Sequence, residues 1–340
     1  GGTVARIYTL VTEYLAADLR EIKYIQSADV MTLTHPSYAT VELQRLANAN
    51  WVVSIPTFAP RTIFPTGQTV TVNGGGSAEV VRYLVTATDA DTSEESLPAV
   101  NNTSRTITAV TKASPAVVTS VAHGFANGDE VYIVGIVGMT ELNTRRFIVT
   151  NKAADTFELL DENSTSYTAY ASGGTARQTF VEITNGAVTA NNTVSWTAAA
   201  NALSYSVYKR TNGVYGFIGD SDTVTFTDKN IAADLSIGPP AARDPFRGVG
   251  NRPAAATYFE QRRVFGGSNN EPDTSQYSQV GYHSNFSKSD PQRDDDAIQA
   301  TLNALEINSI RHYVPGRDLI VLTAGSEWMI NSGADSAFSA

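Results

Sequence analysis

A pattern of short apolar strands and polar turns begins early in this 340-residue chain, stops, and resumes far downstream. Residues 22–58, 254–289 and 297–329 each read as short strands separated by turn residues, whereas the stretch between the first two has different composition and different punctuation. A core that waits this long for its remaining strands is a scaffold carrying inserted modules. The spacing therefore predicts a split body, and it makes assembly the first question and chemistry the second.

Composition narrows the fold class. With 42% hydrophobic and 17% charged residues there is enough apolar surface for sizeable cores, and the length suggests two or three domains. The 25 Gly and 13 Pro, with abundant Thr, Val and Tyr, favour turns and half-buried strands, so the expected class is all-β. No apolar run reaches the roughly 18 residues that would span a bilayer, and residues 1–10 lack the basic-then-apolar order of a signal peptide, so no stable membrane insertion is expected. Cysteine is absent, which removes disulfides, thiolate nucleophiles and cysteine zinc sites. A net charge of −10 argues against a protein that wraps nucleic acid, because neutralising phosphates needs clustered Lys and Arg. An acidic wall is still compatible with a conduit along which DNA slides without being held.

Five segments follow from the punctuation: 1–60, the first part of a scaffold; 61–105, the first part of a sandwich; 106–178, an inserted module; 179–245, the rest of the sandwich; and 246–340, the scaffold resumed. Residues up to 19 are neither cleanly alternating nor helically spaced and read as extended chain with one short helical turn. Residues 61–76, with Pro65 and the run Gly74, Gly75, Gly76, read as a linker. Residues 80–88 alternate and lead through an acidic turn to Leu97 and Pro98, a hairpin whose partners lie at 193–196, 204–209, 215–218 and 223–226. In the resumed scaffold, strands are expected at 254–258, 263–266, 276–279 and 284–289, then a further unit of four at 298–302, 310–314, 319–323 and 327–330. Three units of short four-stranded sheet are the rhythm of a β-propeller, and three blades cannot close a ring. Either the chain is part of a longer polypeptide or the scaffold is an open sheet stack, and the ending at residues 333–340 favours truncation.

Three resemblances attach to particular residues. The segments around Val194, Ser195, Trp196 and Tyr205 to Tyr208 resemble a fibronectin type III or immunoglobulin-like sandwich, with Trp196 on the tryptophan strand and the strand order permuted. Residues 106–178, through Val117, Val118, Thr119, His123, Gly124, Phe125, Gly128, Asp129, Glu130 and Phe157, resemble the small β-barrel domain named after the first catalytic cysteine half-domain of ubiquitin-activating enzymes. That domain recurs in phage tail proteins. In a chain without cysteine the resemblance implies a β module and no ubiquitin chemistry. Residues 18–31 with His35, Pro36, Leu43, Arg45 and Trp51, then residues 258–267, 285–287, 294–298 and 322–328, resemble the tail nozzle (tail tube or hub) proteins of short-tailed bacteriophages. That resemblance implies a non-enzymatic virion component without a cofactor: a homo-oligomer in a six-fold ring, contacting an adaptor ring and fibres, through which double-stranded DNA passes. It would be assembled in the bacterial cytoplasm and reside in the virion tail. The fold expected is thus a partial or truncated propeller-like scaffold with an inserted sandwich that itself carries a small barrel. A receptor-binding adhesion protein for host glycans is the alternative, and a glycan-cleaving tail enzyme a third class.

The candidate site residues are few. Arg262 and Arg263 either meet an acidic partner subunit through bidentate pairing or brace their strand internally. Asp294, Asp295 and Asp296 either face a channel or neighbouring subunit or cap the strand that follows. Asp89, Asp91, Glu94 and Glu95 place four carboxylates in one turn, suited in principle to Ca²⁺ but read here as a solvated loop, since the glycine of a calcium loop has no counterpart. His35, His123, His283 and His312 are scattered without metal-ligand spacing, and His35 and His123 read as hydrogen-bonded turn residues. Trp51, Trp196 and Trp328 read as core anchors.

Overall fold

The computed structural model describes residues 6–74, 79–165, 167–185, 191–241, 243–289, 291–303 and 307–331. The protein is all-β: among these residues the only helical elements are two 3-10 turns, Asp18–Arg20 and Thr140–Leu142. The chain forms two compact units, one of residues 1–59, 243–288 and 292–340, the other of 60–242 and 289–291. The truncation read at residues 333–340, and the glycines at 75 and 76, lie outside the described residues.

The first unit is three antiparallel meanders. The first runs Lys23–Ser27, Val30–His35, Tyr38–Ala47 and Asn50–Ser54, each strand pairing with the next. The second runs Ala255–Phe259, Arg262–Gly266, Thr274–Tyr277 and Ile298–Thr301. The third has Ile310–Pro315, Leu319–Thr323 and Glu327–Ile330. Two expectations are corrected here. Residues 284–289 are not a strand, because Asn285 closes a turn in which its side-chain oxygen accepts the Ser287 amide at 2.9 Å and its side-chain nitrogen donates to Gln279 at 2.8 Å. Ile298–Thr301 takes the vacated edge of the second meander, which leaves the third, among the described residues, with three strands instead of four.

The first strands of the three meanders lie beside one another in chain order. Between the second and third, Val264, Tyr277, Ile310, Leu319 and Val321 share one apolar core. The opposite face of the second meander carries Phe265, which packs with Phe58, Phe246 and Phe286; Phe58 meets the other three edge-on, with ring centroids 4.7–5.8 Å apart. Each such aromatic pair adds roughly 0.5–1.5 kcal/mol beyond area burial. Phe58 is where the early chain leaves this unit and Phe246 is near where it returns, so the cluster ties the two crossings together.

The second unit contains a two-sheet sandwich. One sheet orders Val181–Asn185, Glu79–Asp89, Ala202–Thr211 and Val214–Ser221; the other orders Thr225–Asp228, Asn191–Thr197 and Thr66–Asn73. The strand Thr66–Asn73 corrects the linker reading: Gln68, Val70 and Val72 alternate inward beneath the Pro and Gly punctuation, and the strand pairs with Asn191–Thr197. The expected return strand at 97–98 reduces to one bridge, Thr88 with Glu95, and the bonds from Ser96 N to Ala87 O and Ala99 N to Val85 O. Trp196 is 5% exposed and packs on Tyr205 with centroids 5.2 Å apart, the expected anchor of this core.

The inserted module is one seven-stranded sheet ordered Arg105–Thr106, Ser172–Gln178, Glu130–Val137, Arg145–Thr150, Thr156–Leu159, Val117–Thr119 and Ala109–Val110. It encloses a core of Ile107, Val131, Ile133, Met139, Leu142, Phe147 and Phe157. The expected closed barrel is corrected, since no ladder joins the two end strands. They are consecutive in the chain, and the link between them switches partners, Ile107 N donating to Gly174 O and Thr108 N to Thr119 O. The module opens and closes through one stem, with Thr106 opposite Thr175 and Arg105 opposite Ala176. Paired residues of this kind have Cα atoms about 4.5–5.5 Å apart. Replacing residues 107–174 with a short turn therefore leaves the sandwich folded, which circular dichroism and protection of Trp196 fluorescence from quenching will register; loss of soluble protein is the contrary result.

Candidate functional site

The paired arginines at the start of the strand Arg262–Gly266 face the interior. Arg262 is fully buried, and its guanidinium donates to the carbonyls of Ser278 at 2.8 Å, Asp294 at 3.0 Å and Asp296. Five donors in a rigid fork suit it to gathering several carbonyls at once. Burial pulls its basicity down, with the charges of Asp295 and Asp296 opposing that shift. Arg263, 6% exposed, donates to Glu42 Oε1 at 2.7 Å and lies 5.8 Å from the ring centre of Tyr258. The bracing role is thus the one the geometry supports for both.

The acidic run divides. Asp296 is 1% exposed, its Oδ1 accepting from Gln279 Nε2 at 3.1 Å and its Oδ2 from the Arg293 amide at 2.8 Å. It closes the turn ahead of Ile298, while Asp294 and Asp295 are exposed. Sequence reading placed Arg262 and the three aspartates as separate candidates. The fold brings them together, because the arginine side chain holds the backbone of the aspartate turn.

The carboxylates of the 89–95 turn divide between their own loop and neighbouring chain, and Glu94, 7% exposed, corrects the solvated reading because its carboxylate is taken up by residues 61 and 62. Asp89 Oδ1 accepts the amides of Asp91 and Thr92, both at 3.0 Å, and hydrogen bonding led by Thr92 holds its carboxyl below the ordinary range. Asn201 donates to Asp89 Oδ2 at 3.0 Å and Asp91 Oδ2 at 2.9 Å. Glu94 Oε2 accepts from Thr62 N at 3.0 Å, and Glu95 Oε1 from Tyr208 at 2.8 Å. Among the described residues no group of three or more histidines and acidic residues gathers as metal ligands would.

His35 and His123 share one geometry: Nδ1 accepts the amide of the residue two further on, Ser37 or Phe125, each at 3.0 Å. An amide can only donate, so Nδ1 must be the unprotonated nitrogen, and His123 Nε2 donates to Ala153 O at 3.1 Å. His283 stacks obliquely on Tyr258 at 4.9 Å, and His312 lies on an exposed strand position where burial, then Lys23, holds its basicity down. Trp51 and Trp328 are half-buried, their indole nitrogens donating to Asn48 O at 3.3 Å and Ser326 Oγ at 2.8 Å.

Two buried networks carried no motif in the sequence. In the sandwich, Asp228 accepts from Tyr83 at 2.7 Å and Lys209 at 3.0 Å, while Asn192 donates to the Tyr83 hydroxyl at 2.8 Å. Burial, with the Asp228 hydrogen bond second, pushes the Tyr83 hydroxyl far up. In the module, Arg145 donates to Glu162 at 2.9 Å beside Tyr167, whose hydroxyl donates to the same carboxylate at 2.7 Å. Burial of a charge forces such pairing, and alternation patterns do not reveal who the partner is.

With that geometry established, the comparisons add one assignment. Residues 113–179 match the family described as the ubiquitin-activating enzyme E1 FCCH domain. The match covers most of the inserted module, leaving out its strands Arg105–Thr106 and Ala109–Val110, and well under half of the chain, so it bears on that module alone. No curated protein matches the chain. A structure titled phage phi92 endosialidase aligns at 10% identity over 92% of this chain, with a TM-score of 0.19. The chain spans 52% of that structure's length.

The buried ion pair yields the first of two expectations from this geometry. Glu42→Ala strands the Arg263 charge and lowers stability by about 2–4 kcal/mol in urea titration, whereas Glu42→Met with Arg263→Met recovers most of it. The second concerns Tyr277, whose hydroxyl burial pushes up to about 12. Because the folded state holds this proton more tightly than the unfolded chain, the stabilisation is complete below pH about 10 and is lost on rising toward about 12. Tyr277→Phe flattens that loss in denaturant titrations at graded alkaline pH.

Proposed function

We propose that this protein is a structural virion component, a tail nozzle subunit that forms an oligomeric ring around the DNA ejection channel of a short-tailed phage. The observation that carries the reading is the joining of distant sequence. Residues 18–31 and 258–267, which resemble nozzle proteins separately, belong to one compact unit. There the first strands of three successive meanders lie side by side, as blades do around a propeller axis. The sandwich and its FCCH-like module would be decoration on that scaffold, and Asp294 and Asp295 would supply outward negative charge suited to a wall that DNA slides past.

A second reading, adhesion to host glycans, draws on one face of the three-stranded sandwich sheet. Thr71, Thr193 and Thr227 stand opposite one another, as do Thr69, Ser195 and Thr225, giving a flat, uncharged hydroxyl surface. Hydroxyls both donate and accept, as sugar hydroxyls do.

Negative-stain microscopy of the purified chain separates the two. Rings with a central opening, and the same density on the tail axis of the particle, are expected. Peripheral trimeric density with retention on a neutral polysaccharide matrix would replace the nozzle reading with the adhesin.

A further inference from the structure

The inserted module meets the sandwich at more than its stem. A module hung only on a ladder as short as Arg105 and Thr106 against Ala176 and Thr175 would swing, since motion is the default between domains joined by a small interface. Two arginines cross this junction in opposite directions. Arg82, on the sandwich strand Glu79–Asp89, donates through Nη1 to Asp129 Oδ1 of the module at 3.0 Å, while its Nε holds Glu182 of the sandwich. Arg146, on the module strand Arg145–Thr150, donates through Nη2 to the Pro98 carbonyl of the sandwich and through Nη1 to Glu130 of the module at 3.0 Å. Each guanidinium thus grips both sides at once, which a rigid fork of donors allows and a point charge does not.

Burial gives these bridges their weight. Asp129 is 3% exposed and Arg146 8% exposed, so a swing that parted either from its partners would strand a buried charge. Asp129 Oδ2 also accepts from Gln178, at the end of the stem strand, at 2.8 Å. Phe64, just ahead of the sandwich strand Thr66–Asn73, lies 4.7 Å from the Arg146 guanidinium and meets Tyr132 of the module edge-on at 5.3 Å. The strands Ser172–Gln178, Glu130–Val137 and Arg145–Thr150 are successive in the module sheet. The fixings are therefore spread over two inter-strand spacings, about 9–10 Å, and a hinge needs them gathered in one line.

We infer that the sandwich and the inserted module are one rigid body, locked at the junction by Arg82 and Arg146, so that whatever takes hold of the module also sets the direction of the sandwich. A nozzle subunit and an adhesin would both gain from it. A module that points one way meets a partner without first losing the freedom to swing.

The absence of cysteine makes the joint directly readable with spin labels. Val121→Cys on the module and Val214→Cys on the sandwich, 68% and 54% exposed, are introduced together into the full chain and read by double electron–electron resonance. One distance distribution is expected, no wider than that of Leu203→Cys with Val214→Cys, a pair placed within the sandwich itself. Adding Arg82→Met and Arg146→Met should widen the first distribution about twofold and leave the second and the far-UV circular dichroism unchanged. Arg82→Lys alone, which keeps the charge but cannot hold Asp129 and Glu182 together, gives a milder widening in a variant closer to the native chain. A broad or multiply peaked distribution with both arginines in place would overturn the rigid body. A distribution that stays narrow without them would overturn their role and leave the stem as the sole fixing.

Discussion

A carboxylate at position 42 and a guanidinium at position 263, 2.7 Å apart, depend on each other across more than two hundred residues of intervening chain. Neither is fully in water, so each alone would be a costly buried charge. The pair offsets that cost only when the first and second meanders face each other in one register. Register matters because a slip of one residue would turn Glu42 outward and bring Leu43 against the guanidinium. The adjacent phenylalanine cluster supplies apolar burial without such discrimination. Burial gathers the two halves, and the ion pair selects how they meet.

Arg262 extends the same logic to backbone. The turn at 294–296 presents several carbonyls toward the interior, and buried carbonyls need donors. One guanidinium meets them, so the strand Arg262–Gly266 fixes the path of the chain into Ile298–Thr301. The arginines are therefore tools of folding, and Asp294 and Asp295 are the members of the acidic turn left exposed.

How much was legible follows from what each signal encodes. Alternation revealed the meanders around Ile22, Val264 and Leu319 and the tryptophan strand at Trp196, because period-two burial is local. It missed the strand at Thr66–Asn73, where flanking Pro and Gly masked Gln68, Val70 and Val72. It misplaced the fourth strand of the second meander, since a Ser and Asn run with strand-like length was closed into a turn by Asn285. The charged candidates were legible as residues but not as partners: nothing local says that Arg262 reaches Asp294 or that Arg263 reaches Glu42. The same holds for Lys209, Asp228 and Tyr83, which meet only once two sheets are stacked.

The stem of the inserted module has a mechanical meaning. The module joins its host through paired ends, Arg105 and Thr106 against Ala176 and Thr175, and through Arg82 with Asp129 and Phe64 with Tyr132, so a pull on its far side is shared between the stem and these side-chain contacts. Long strands such as Glu79–Asp89 and Ala202–Thr211 are held by many rungs and share a load along their length.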